Sequence, residues 1–167
     1  GDRDAMSVMD YGLASVAEGE GEWIARDGTR VVVRPIGPDD AAREQAFVQA
    51  LSPRSRQQRF MHAIRELSPV QLARFTRPDP ACEFALAALL RAADGVETQL
   101  AVARFVTGDD AGSCEFAIVV ADAWQQRGLG HELMARLIEE ATRRGLRRMV
   151  GRVLADNQGM LALARAL

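Results

Sequence analysis

Apolar and polar positions along this 167-residue chain follow two periods, and the changes between them mark out its elements. The first twenty or so residues show neither. The stretch GLASVAEGEGEW is rich in glycine and acids, and residues 1–24 read as a loose acidic arm before a single domain at 25–167. Arg30–Ile36 (RVVVRPI) reads as a strand stopped by Pro35, and the following GPDD caps a helix at about Asp39–Leu51. Ser52-Pro53 and Ser68-Pro69 have the cap and first-turn chemistry of two further short helices, RSRQQRFMH and QLARFT. From Glu83 the period shortens. CEFALAALL and QLAVARFV flank the turn signal Ala93-Asp94-Gly95 as a hairpin, and SCEFAIVV follows Gly108-Asp109-Asp110 as a third antiparallel strand. A period of 3.6 then returns from about Gly128 to Arg144, with Leu129, Leu133, Leu137, Met134, Ile138 and Ala141 on one face. Its outer face carries the pairs Glu132/Arg136, Glu139/Arg143 and Glu140/Arg144, with the acid on the favourable N-terminal side, and Gly145 ends it. RMVGRVL is another strand, and Gln158–Leu167 returns to helical spacing. Strands on both sides of a crossover helix predict a mixed α/β sheet flanked by helices.

Composition narrows the chemistry. All 21 basic side chains are arginine, so a phosphate loop that needs lysine and Schiff-base chemistry are both excluded. A coding bias explains the absence best. The length suits one domain, and no apolar run approaches the roughly 20 residues of a membrane span. With no leader pattern at its start, the chain reads as cytoplasmic, without a membrane partner. Residues 1–29 hold seven acids against Arg3 and Arg26, which leaves the remaining body mildly basic. That excess is too small for a nucleic-acid surface, though a positive pocket for a polyphosphate stays open. Cys82 and Cys114 sit in apolar, strand-like runs as reduced, buried thiols. With His62 and His131 they show no zinc-type spacing, so no metal is expected.

The informative stretch is CEFAIVVADAWQQRGLGHELMARLIEEATRRG. A buried strand runs through a short loop into QQRGLGH and the amphipathic helix. Glycines at 128 and 130 clear side chains from the helix start, where free N–H groups and the helix dipole attract an anion. The dinucleotide fingerprint would need a third glycine where Leu133 stands, so that class is disfavoured. Taken alone, the two glycines could also serve only packing.

Gln125-Gln126-Arg127-Gly128-Leu129-Gly130 resembles the Q/R-x-x-G-x-G/A signature of the GNAT superfamily of acyl-CoA-dependent N-acetyltransferases. Asn157, the lone asparagine, matches the family's N-x-x-(A/M) segment. RPIGPDD, LSPRSRQQRF and Cys114-Glu115-Phe116-Ala117-Ile118 are similar to bacterial protein lysine acetyltransferases that modify acyl-CoA synthetases. The resemblance implies a GNAT-type, mostly antiparallel sheet with a parallel strand pair around the acetyl-CoA site. It implies that acetyl-CoA, as cosubstrate, lies against Ile118, Val119 and Val120. Its pyrophosphate would then meet Gln125, Gln126, Arg127, Gly128, Leu129, Gly130 and His131, with Asn157 nearby. Direct attack by an acceptor amine follows. Because a lysine-like amine has a pKa near 10.4, its reactive form costs about 4–5 kcal/mol at neutral pH, and Glu115 is the general base implied.

The acceptor is then a protein lysine. A small-molecule amine, or a non-catalytic acyl-CoA-binding regulatory module, are the alternatives. Cys114 is a weak candidate nucleophile, since an apolar strand raises a thiol pKa. The arginines at 143, 144, 147, 148 and 152 read as a solvated face and Trp124 as a packing residue. Two departures stand out: the position of the family's leaving-group tyrosine is Ala164, and the family's last strands have no counterpart after Leu167. An uncovered sheet edge there would invite a homodimer.

Overall fold

The computed structural model describes residues 21–52, 67–108 and 112–151. Within them the chain runs β1 (Gly21–Ile24), β2 (Arg30–Pro35), a 3-10 turn (Pro38–Asp40), α1 (Ala41–Ala50), α2 (Pro69–Thr76), β3 (Glu83–Arg91), β4 (Glu97–Thr107), β5 (Ser113–Val120), a second 3-10 turn (Asp122–Trp124), α3 (Leu129–Arg143) and β6 (Arg148–Gly151). One six-stranded sheet holds the strands in sequence order. The first five pair antiparallel, while β6 returns parallel to β5 after the α3 crossover. This is the mixed α/β architecture expected from the pattern.

Both faces of the central strands are covered, so β3 and β4 read as near-continuous apolar runs. Val31, Val33, Leu86, Ala103, Phe105, Cys114 and Ile118 meet Leu129, Leu133, Leu137 and Ala141 of α3 on one face. Val32, Ala85, Ala87, Leu89, Val102 and Val119 meet Phe47, Val48 and Leu51 from the α1 side on the other. Gln45 fastens α1 to the chain before α2, donating to the Leu67 carbonyl at 2.7 Å and accepting from its N–H at 2.8 Å. The expected Ser68-Pro69 cap forms: Ser68 Oγ accepts from the Gln71 N–H, and Gln71 reaches back to the Ser68 N–H.

Five expectations change. Gly21–Ile24, assigned above to the loose arm, is strand β1. The hairpin signal Asp27-Gly28 between GEWI and RVVVRP accounts for it, with Gly28 in the left-handed region at φ +89°. Arg136 is only 8% exposed, since its guanidinium donates to Glu132 and to the Glu22 carbonyl, tying α3 to β1. Arg143 pairs with Glu140, one residue nearer than the expected partner Glu139. Arg144 is half-buried: it pairs with Glu140, donates to the Pro80 and Glu83 carbonyls and lies over the rings of Phe84 and Phe105. Cys82 occupies the turn before β3 and is half-exposed, whereas Cys114 is buried in β5; both are free thiols. The expected helix after Ser52, Asn157 and the last helix lie outside the described residues.

Candidate functional site

Two features meet at the C-terminal end of β5. The first is the start of α3. After Val120 the chain makes a 3-10 turn and then passes through two left-handed residues, Gln126 at φ +60° and Gly128 at φ +91°. Only glycine takes this region without strain, so Gln126 carries a cost of about 1–2 kcal/mol in the segment singled out above. Gly128 is the N-cap and offers no side-chain cap; the first helical bond is the Glu132 N–H to the Gly128 carbonyl. The N–H groups of Leu129, Gly130 and His131 therefore lie beyond the helix's own ladder, at its positive end.

The second feature is the side of β5 that no described strand flanks toward its C-terminal end. Its parallel pairing with β6 runs from Ser113↔Arg148 to Phe116↔Gly151. Beyond Phe116, no strand among the described residues flanks it on that side. The Ala121 N–H bonds the Leu100 carbonyl and the Gly108 N–H bonds the Ser113 carbonyl. By antiparallel alternation, Val119 spends its polar backbone groups on β4, while those of Ile118 and Val120 point to the open side. Val119 is thus placed differently from the two residues beside it: its backbone is engaged and its side chain is in the α1-side core. The Val120 carbonyl accepts from Gln125 Nε2 at 3.0 Å.

Glu115 stands five residues upstream of Val120, roughly 17 Å along the strand. Cys114 and Phe116 pack on the α3 face, so Glu115 faces the α1 side, as the alternation predicts. It is exposed, and its register neighbours are Val106 on β4 and Val150 on β6, the latter 41% exposed. Cys114 on the opposite face has its thiol pushed up by burial to about 11, which disfavours the thiolate that a nucleophile needs at neutral pH.

A cleft of about 530 Å³ opens at the α3 start on the β1 side, between Trp23, Ile24 and Arg26 and the residues Arg127, Gly128 and His131. Arg127 lies 3.8 Å over the Trp124 ring and donates to Asp27 Oδ2 at 2.5 Å. Glu132 also lines the cleft, but its charge is matched by Arg136. Sequence reasoning missed Trp23, Arg26 and Asp27, since they fell in or beside the supposed arm; Asp27-Gly28 was the signal that could have found them. Among the described residues no cluster of His, Cys, Asp and Glu could hold a metal, and no helix is long and apolar enough to cross a membrane.

A glycine-started helix without a side-chain cap thus stands beside a strand edge that no described strand pairs, on a sheet with one parallel junction. The sequence profile of the Acetyltransferase (GNAT) family matches residues 48–167. The chain is 35% identical over 155 residues to Acetyltransferase PA5475 of Pseudomonas aeruginosa, covering 92% of this chain and 82% of that protein. The crystal structure of the GNAT domain of S. lividans PAT superimposes with a TM-score of 0.80 at 32% identity, over 90% of this chain and 87% of that one. A cAMP-binding acyltransferase from Mycobacterium smegmatis follows at a TM-score of 0.61 and 27% identity; this chain spans 45% of it. The chain belongs to the GNAT acetyltransferase family, and its chemistry is acyl-CoA-dependent acetyl transfer.

Proposed function

We propose that this chain transfers the acetyl group of acetyl-CoA to a protein lysine, with Glu115 as general base. The observation that carries the reading is the position of Glu115. It stands in the last described paired stretch of β5 and β6, on the face away from α3, upstream of the outward-facing backbone groups of Ile118 and the Val120 N–H. The N–H groups around Gly128–His131 suit the pyrophosphate, and the open edge suits the amides of the pantetheine arm. An arm running back along β5 brings the thioester toward Glu115. The acceptor amine gives its proton to the carboxylate and attacks the thioester carbonyl; the C–S bond then breaks and the CoA thiolate leaves, protonated by solvent. The exposed Val150 beside Glu115 offers an apolar surface for the aliphatic stem of a lysine. The kinship to S. lividans PAT supports the protein-acceptor reading, as does 45% identity over 62 residues to Acetyltransferase Pat of Mycolicibacterium smegmatis.

The test is release of free CoA from acetyl-CoA, with purified acyl-CoA synthetases and with a panel of small amines. Glu115→Gln should lower the rate at neutral pH about 100-fold and flatten the rise of rate with pH. An unchanged rate and profile removes the base assignment, and turnover with small amines alone removes the lysine.

A further inference from the structure

The arginine of the signature segment is already occupied. Asp27 sits in a closed turn, in which the Ala25 N–H meets the Thr29 carbonyl at 2.8 Å and the Gly28 N–H meets the Ala25 carbonyl at 2.9 Å. One carboxylate oxygen accepts from the Thr29 N–H at 2.9 Å and the other from Arg127 Nη2 at 2.5 Å. The hydrogen bonds from Thr29, aided by the Arg127 charge, hold this carboxyl below the usual range, so it is anionic throughout the neutral range. Arg127 is therefore confined between the Trp124 ring and a carboxylate whose direction the turn dictates. Two further contacts fix the β1 side against α3: the Trp23 ring lies against Gly128, and Arg136 holds the Glu22 carbonyl.

We propose that Asp27 is an affinity-setting residue of the acyl-CoA site, which competes with the phosphates of acyl-CoA for the Arg127 guanidinium. This rests on the reading that those phosphates occupy the α3 start. A polyanion there gains from Arg26, His131 and the helix dipole, but it must draw Arg127 away from Asp27 and tolerate that carboxylate across the cleft. Asp27 thus weakens acyl-CoA binding and favours release of the spent CoA, and its effect belongs to the phosphates alone.

Asp27→Asn tests this, because with its Oδ1 on the Thr29 N–H it removes both the charge and the oxygen that accepts from Arg127 while keeping the turn. Dissociation constants would be measured for CoA and for S-acetylpantetheine, which carries the same arm without the nucleotide phosphates. In Asp27→Asn the constant for CoA should fall about two- to fivefold at low ionic strength, a gain that shrinks with added salt. The constant for S-acetylpantetheine should stay put, and the gain should diminish in an Arg127→Gln background. If the unmodified chain binds CoA and Asp27→Asn binds it equally or more weakly, or if S-acetylpantetheine gains as much, the proposal is overturned alone. Failure of the unmodified chain to bind CoA overturns the site reading, and the proposal with it.

Discussion

The ring of Phe116 occupies the space that a side chain on Gly151, its register partner in the parallel strand β6, would need. Any Cβ at position 151 would overlap ring carbons, so only glycine lets β6 approach β5 at the last described pair before the open edge. Gly151→Ala should therefore cost about 1–3 kcal/mol, as overpacking does. Phe116→Ala in the same chain should recover part of that loss. Urea denaturation of the two single variants and the double variant gives the coupling; strictly additive losses would mean that ring and glycine do not meet.

Asp40 governs a second prediction. Its carboxylate, 1% exposed, accepts from Arg34 at 2.7 and 2.9 Å, from Arg43 at 2.6 and 3.0 Å and from the Gly37 N–H at 2.8 Å. Burial alone would raise its pKa, but the hydrogen bonds from Arg34, Gly37 and Arg43 outweigh it and hold the group at about 2, against an ordinary value of 3.8. A depressed folded-state value means stability that is present above pH 4 and lost as the pH falls toward 2, about 2 kcal/mol from this group. Asp40→Asn should lose about 3 kcal/mol near neutrality, because Arg34 and Arg43 keep their charges without the partner. The gap between the two proteins should narrow between pH 4 and 2 in denaturation curves taken at each pH. A constant gap would show that the carboxylate does not titrate in that window.

What was legible in the sequence was short-range. The β3–β4 hairpin, the start of α3 at Gly128 and the face of Glu115 each follow from turn residues and periodicity within a few positions. Charges were harder to read, because a charged side chain on a pattern looks solvated until its distant partner is known. Arg127 meets Asp27 one hundred residues away, and Arg136 reaches the Glu22 carbonyl still farther off. Arg144 packs over two rings from other strands. Such pairings arise from the sheet order and the α3 crossover, and no local period encodes them.

Cys114 is placed to test the direct-attack mechanism. With its thiol pushed up to about 11 by burial, the thiolate fraction at neutral pH is about one in ten thousand. Iodoacetamide should label half-exposed Cys82 well before Cys114 in the native protein, and both once it is unfolded. Cys114→Ala should retain acetyl transfer, and mass spectrometry during turnover should find no acetyl group on Cys114. Loss of transfer in a folded Cys114→Ala protein would bring the thiol back as a nucleophile.

Arg104 anchors α2 over the face on which Glu115 stands. It points from β4 to the α1 side, where its Nη2 donates to the Phe75 carbonyl at 3.0 Å and its guanidinium lies 4.7 Å from the centre of the Phe75 ring. The side chain is 8% exposed, its Nε has no hydrogen-bond partner among the described residues, and burial pulls its pKa down against the opposing charge of Glu44. Such a group is expensive to bury, so it persists only if the contacts at Phe75 outweigh that cost. Arg104→Met keeps the stem but removes the hydrogen bond from Nη2 to the Phe75 carbonyl, and should cost about 1–3 kcal/mol. The loss should be concentrated locally. Hydrogen exchange of the α2 amides should accelerate more than that of the β3 and β4 amides, and Arg104→Lys, with a shorter reach and no planar face for the ring, should restore only part of the protection. Uniform acceleration across the sheet and α2 would show that Arg104 supports the core as a whole and does not hold the helix in particular.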